Sequence, residues 1–115
     1  MGGVLLMREL CPLDRMRELV YTGRTLSGDE AVAYGLATRA SADPLADARA
    51  LALDVAGKSP HAMRAAKRLL DLALAQSPGQ VLLAESREQQ LLIGSENQVE
   101  AVQARLAKRA PKFRV

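Results

Sequence analysis

A chain of 115 residues with a net charge of +3, 49% apolar and 25% charged, has the make-up of one ordinary globular domain and not of a disordered tail. Aromatic residues make up only 3%, with no tryptophan, so leucine and alanine must fill the core. The single cysteine, Cys11, excludes an internal disulfide, the chain has no Cys/His cluster for zinc, and no apolar run approaches the roughly 18 residues of a membrane span; a reducing cytoplasm fits this usage best.

Met1-Gly2-Gly3 runs straight into the apolar stretch Val4 to Met7. That stretch is too short, and too poor in preceding basic residues, for a signal peptide. A free N-terminus usually has a polar lead-in, so this start hints at a chain cut from something longer. Helices are expected near 3–9 and 13–22. A third, near 28–34, opens on Ser27 with Glu30 three residues on, the spacing of a capping box. The segment 35–40 reads as either a lone edge strand or a turn.

Three further starts share one device. Asp43-Pro44, Ser59-Pro60 and Ser77-Pro78 each place a capping side chain before a proline at the first helical position. The cap accepts an orphan N–H, and the proline has none to waste. They predict helices near 44–56, 60–76 and 79–93, and Ser95 with Gln98 opens a last one near 96–108. Gly23, Gly35, Gly57 and Gly94 stand where these helices stop. Apolar stripes at helical spacing mark the expected core faces: Leu45, Ala48, Ala52 and Val55; Met63, Ala66, Leu70 and Ala73, broadened by Leu69 and Leu74; Val99, Val102 and Leu106. The helix near 79–93 is apolar at its ends and polar on every face from Glu85 to Gln90, as expected of a helix docked separately at each end. Pro111 ends regular helix before the basic tail.

Few residues offer chemistry. His61 is the only histidine and has no nucleophile paired with it in sequence; a plain surface role is expected. Glu85 and Glu88 share a helix face, but Arg87 and several glutamines surround them, which reads as a solvated face with local ion pairs. Cys11, beside Pro12, reads as a small buried side chain. Gly2-Gly3 before a helix is a weak sign of close ligand approach. The densest charge cluster is Arg105, Lys108, Arg109, Lys112 and Arg114. Its first three members lie at helical spacing and form one expected patch, suited either to phosphates or to a solvated helix end.

Two stretches carry more than composition. Arg17 to Ala31, ending in Tyr34-Gly35-Leu36-Ala37, resembles the segment "A-x-E-L-x-x-T-G-R-x-I-S-A-x-E-A-x-x-x-G-L-V" of the enoyl-CoA hydratase/isomerase (crotonase) family. Glu18, Leu19, Thr22, Gly23, Arg24, Ser27, Glu30, Ala31, Gly35 and Leu36 match it. Ser59-Pro60 with Ala66-Lys67 and Leu70 is similar to the family's "S-P-x-A-x-x-x-A-K-x-x-L". Ser95 to Glu100 and Lys108 to Phe113 are similar to its ending, "S-x-D-x-x-E-G-x-x-A-F-x-E-K-R-x-P-x-F". Gly2-Gly3 resemble the end of its "P-x-x-G-G".

The resemblance implies a mainly α chain, the helical C-terminal part of the crotonase fold without its N-terminal βαβ spiral core. It divides the chain into 1–40, the end of the core with short helices, and 41–115, a helical oligomerisation region. It implies an acyl-CoA thioester as ligand, with coenzyme A as part of the substrate and no separate cofactor. The implied partners are further copies in a trimer or hexamer, or a separate N-terminal half, with no nucleic acid and no membrane. The family's two glutamates and oxyanion-hole donors lie upstream of its Gly-Gly, so no catalytic residue is carried over. Lys108 matches the lysine that approaches the phosphates of CoA. Arg105 is a weaker candidate, standing where the family has an aromatic residue, and Gly2 and Gly3 are weak candidates for the acyl pocket. Ala101 and Ala107 replace the family's glycine and glutamate. The competing expectation is a stand-alone basic helical module for nucleic acid or an acidic protein partner.

Overall fold

The computed structural model describes residues 3–115, and among them it contains helices, turns and no strand. In chain order the helices are α1 (Gly3–Met7), α2 (Leu13–Thr22), α3 (Gly28–Ala33), α4 (Pro44–Ala56), α5 (Pro60–Ala73), α6 (Pro78–Leu92) and α7 (Glu96–Leu106). The mainly α expectation holds. The segment after Gly35 resolves to turns and bends, which removes the edge-strand alternative.

Most caps form as the sequence predicts. Ser27 and Glu30 make the reciprocal box, with Glu30 N–H on Ser27 Oγ at 3.1 Å and Ser27 N–H on Glu30 Oε2 at 3.0 Å. Asp43 accepts the Ala46 N–H at 3.0 Å, and Ser59 that of Ala62 at 3.4 Å. Two caps differ. Ser77 donates its hydroxyl and its N–H to Gln80 Oε1, at 2.9 and 3.1 Å, so the glutamine side chain is the acceptor. Ser95 accepts the Gln98 N–H at 3.3 Å as expected, but the Gln98 side chain reaches past Ser95 to the Gly94 N–H, also at 3.3 Å. Of the four glycine stops, Gly23, Gly35 and Gly94 are left-handed and Gly57 is not.

The chain forms two compact units, Met1–Ala48 and Arg49–Val115. In the first, Cys11 and Met16 are the buried apolar side chains among the described residues. The matched motif residues knit α2 to α3. Arg24 donates to Glu18 at 2.7 Å, to Glu30 at 3.1 Å and to the Tyr34 hydroxyl at 3.1 Å. The Ser27 N–H and then the Arg24 guanidinium hold the Glu30 carboxyl below its ordinary pKa. Arg15 donates to the Ala33 carbonyl at 2.6 Å, where cations suit a helix C-terminus, and stacks over the Tyr34 ring at 4.7 Å. Gly35 closes α3 in a left-handed turn (φ 82°), and a Cβ there would drive into the Leu10 carbonyl.

In the second unit α5 packs along α6. The faces that meet share only Ala66 and Leu69 with the predicted stripe. On α5 they are Ala62, Ala65, Ala66, Leu69 and Leu72, and on α6 Val81, Ala84, Glu88 and Leu92, all at least half-buried. Alanines let the two backbones approach closely, which larger side chains at those positions would prevent. The expectation that α6 docks only at its ends is therefore overturned. It lies along α5 from Val81 to Leu92, and its middle is tied as well, where Arg68 holds Glu88 with two bonds of 2.7 Å.

The predicted core stripes are largely open. Leu45 is 60% exposed, Leu70 70%, Leu74 74% and Leu106 80%, and α4 buries no residue fully. The helical period holds, but the apolar faces outnumber the contacts these units make.

Candidate functional site

The end of α7 carries the sequence candidates. The helix stops in a Schellman turn: Lys108 N–H bonds the Arg105 carbonyl at 3.2 Å, and Arg109 N–H bonds the Ala104 carbonyl at 2.9 Å. The position between Ala107 and Arg109 must be left-handed, and glycine usually fills it. Here it is Lys108, with φ 50°, the one non-glycine residue of positive φ among those described. Its side chain is exposed and makes no hydrogen bond or ion pair among the described residues.

Arg109 and Arg114 are committed elsewhere, so the patch expected from Arg105, Lys108 and Arg109 loses one member. Arg109 turns back on α7 and grips Glu100 with bonds of 2.6 and 2.8 Å. The same carboxylate accepts the Lys112 N–H at 2.7 Å. Arg109, then the Lys112 N–H, pull the Glu100 carboxyl down to about 2. Arg114 pairs with Glu96 at 2.7 Å, both well exposed. Arg105 and Lys108 are exposed and remain without an acidic partner among the described residues.

The tail beyond Lys108 is strapped to α7 at a second point. Asn97, only 2% exposed, accepts the Arg114 N–H at 2.8 Å and donates to the Arg114 carbonyl at 2.7 Å. These two bonds fix which way its amide faces, so its nitrogen also meets His61 Nδ1, at 3.1 Å, as a donor. His61 is exposed, as expected, but serves this strap as an acceptor; the plain surface reading missed that. An open groove of about 640 Å³ runs between α7 and the tail, lined by Asn97, Glu100, Gln103, Arg109 and Lys112 among others; Lys108 is not part of its wall.

The remaining candidates offer no acid–base pair. Glu85 is exposed, while Glu88 faces α5, where Arg68 lowers its pKa; the local ion pairs expected for these two are replaced by one cross-helix pair. A general acid needs a shift in the opposite direction. Cys11 is buried, as expected, with its Sγ 3.5 Å from the Pro12 carbonyl. Gly3 starts α1 with open space, nothing within 4 Å, on the side where a Cβ would stand, and Gly2 lies outside the described residues. Among the described residues no group of three His, Cys, Asp or Glu is placed for a metal ion, and no helix is long and apolar enough to cross a membrane.

Asn97 and Glu100 are the residues that sequence reasoning passed over. Both sit inside the stretch from Ser95 to Glu100 that resembles the family ending, and that resemblance was the available signal. Their partners, 17 and 9 to 12 residues away, are visible only in the fold.

Lys108 is thus exposed and unpaired among the described residues at the end of α7, beside the exposed Arg105. No family model matches the chain. A probable enoyl-CoA hydratase of Mycobacterium tuberculosis is 34% identical over 115 residues, which cover 98% of this chain and 45% of that protein. Carnitinyl-CoA dehydratase of Salmonella typhi is 28% identical over 119 residues, covering 98% and 46%. Among solved structures, a putative enoyl-CoA hydratase/isomerase from Mycobacterium abscessus superposes with a TM-score of 0.89 at 25% identity, over 98% of this chain and 48% of that one. An enoyl-CoA hydratase from Polaromonas sp. JS666 gives 0.87 at 25%, over 98% and 45%. The chain thus corresponds to the C-terminal portion of the enoyl-CoA hydratase/isomerase (crotonase) family, and spans a little under half the length of the relatives it matches.

Proposed function

We propose that this chain serves an enoyl-CoA hydratase/isomerase family protein by holding the anionic CoA end of an acyl-CoA thioester and by supplying association faces. The family activity is hydration or isomerisation of enoyl-CoA thioesters, in fatty acid metabolism. The acid–base groups for that reaction are supplied outside these residues, and no cofactor is needed beyond the CoA of the substrate. Lys108 is the phosphate contact and Arg105 its weaker neighbour; Gly2 and Gly3 are the candidates for the acyl pocket. The open leucine faces of α4 to α7 serve further copies, in a trimer or hexamer, or a separate N-terminal half.

One observation carries the CoA reading. In a cluster of basic residues where Arg109 and Arg114 are tied to glutamates, Lys108 is held on a left-handed turn with its charge unspent. The same division weakens the nucleic-acid alternative, since the neutralised arginines no longer form a continuous basic stripe. Titration with free coenzyme A tests the reading. Lys108→Ala should weaken binding about tenfold, the loss of one charge-assisted phosphate contact. Unchanged affinity would remove Lys108 from the site. The chain alone should turn over crotonyl-CoA no faster than buffer; activity lost on mutating a residue within 1–115 would contradict the catalytic part.

A further inference from the structure

We propose that Asn97 and Glu100 are positioning residues for Lys108: they clamp the tail that follows it at two points and so hold Lys108 in the left-handed conformation that presents its amine to the CoA phosphates. The proposal rests on the reading of Lys108 as the CoA contact, and adds the residues that aim it.

The turn itself is costly. A side-chain-bearing residue at positive φ pushes its Cβ against the backbone and is disfavoured by about 1–2 kcal/mol. Such a conformation persists only when its surroundings over-determine it. The Schellman bonds at Ala104 and Arg105 favour the turn from the helix side. On the tail side, Glu100 catches the chain one and four residues after Lys108, through the Arg109 side chain and the Lys112 N–H. Asn97 catches it six residues after, reading both main-chain groups of Arg114. The Asn97 amide is buried and braced by His61, so it cannot turn away without losing both bonds. Neither clamp uses the Lys108 side chain. A glycine at position 108 would make the same turn without them, so retaining a lysine there makes sense if its amine is needed at that place.

The test uses the full chain, with isotope labelling to read the backbone couplings and carbon shifts that mark Lys108 as left-handed. In Asn97→Ala and Glu100→Gln that signature should fade while circular dichroism keeps the helices. In a Lys108→Gly background the same two changes should leave the turn in place. Free coenzyme A should bind both single variants more weakly, by up to about fivefold, because a competent turn that loses roughly 1 kcal/mol of support is populated less. Asn97→Asp, which keeps the acceptor and loses the donor, should fall between. In Lys108→Ala, adding Asn97→Ala should change CoA affinity no further.

A left-handed Lys108 that survives in the Asn97→Ala/Glu100→Gln double variant overturns the clamp. A turn that melts while CoA affinity holds, with Lys108→Ala still weakening it, overturns the positioning role. If Lys108→Ala itself leaves affinity unchanged, the CoA assignment falls, and the spectra alone decide the clamp.

Discussion

Helices α3 and α7 end in the same turn and fill its demanding position differently. After α3, Gly35 N–H bonds the Val32 carbonyl and Leu36 N–H the Ala31 carbonyl, at 3.0 and 2.8 Å; after α7, Lys108 and Arg109 repeat the pattern. At the first stop the chain passes so close to Leu10 that no side chain fits, and glycine takes the left-handed place freely. At the second, a lysine takes it under strain, and the carboxylate and amide of Glu100 and Asn97 hold the tail that follows. A turn that only redirects the chain is left to glycine. Where an exposed lysine takes the position, the chain that follows is tied down by side chains of the helix.

The sharpest way to break this contrast is to exchange the two solutions. Gly35→Ala combines a positive φ with a collision at the Leu10 carbonyl and should cost about 2–4 kcal/mol in urea denaturation. A loss under about 1 kcal/mol would mean that the turn at Gly35 is soft. Asn97→Ala strips the partners from both main-chain groups of Arg114 and should cost about 2 kcal/mol by the same measurement. Lys108→Gly should do the reverse of Gly35→Ala and stabilise the chain by about 1 kcal/mol, less the entropy that glycine adds to the unfolded state. Destabilisation there would show that Lys108 is not strained.

The smallest effect is the one that acid brings. The Glu100 carboxyl is lowered from about 4.5 to about 2. A depressed folded-state pKa contributes stability that is complete above the ordinary carboxylate value and is lost as pH falls through the depressed one. The Lys112 amide, which donates to Glu100, should therefore keep its protection from hydrogen exchange at pH 4 and lose it towards pH 2. Loss already at pH 4 would place the carboxylate in the ordinary range and loosen the clamp.

Much of this molecule is legible from local spacing. The proline-preceding caps at Asp43 and Ser59, the Ser27–Glu30 box and the stops at Gly23, Gly35 and Gly94 act over three or four residues, within reach of inspection. The family resemblance is local in the same sense. Its segment from Arg17 to Ala37 turns out to be the hydrogen-bonded hub of Glu18, Arg24, Glu30 and Tyr34. Lys108 enters as a candidate by the same route, because it stands in a motif.

Local chemistry along the chain is enough to say where each helix begins and ends and which family the chain resembles, since caps, prolines and glycines act on backbone groups a turn away. Folding in three dimensions chose which face of each helix is used and which charges stay free. On α5 the face of Ala62, Ala65, Ala66, Leu69 and Leu72 was chosen over Met63, Leu70 and Ala73 because close backbone approach depends on the partner helix. Arg109 was removed from the basic patch, and Lys108 left in it, because a carboxylate nine residues earlier is brought within 2.6 Å only when the tail folds back on α7.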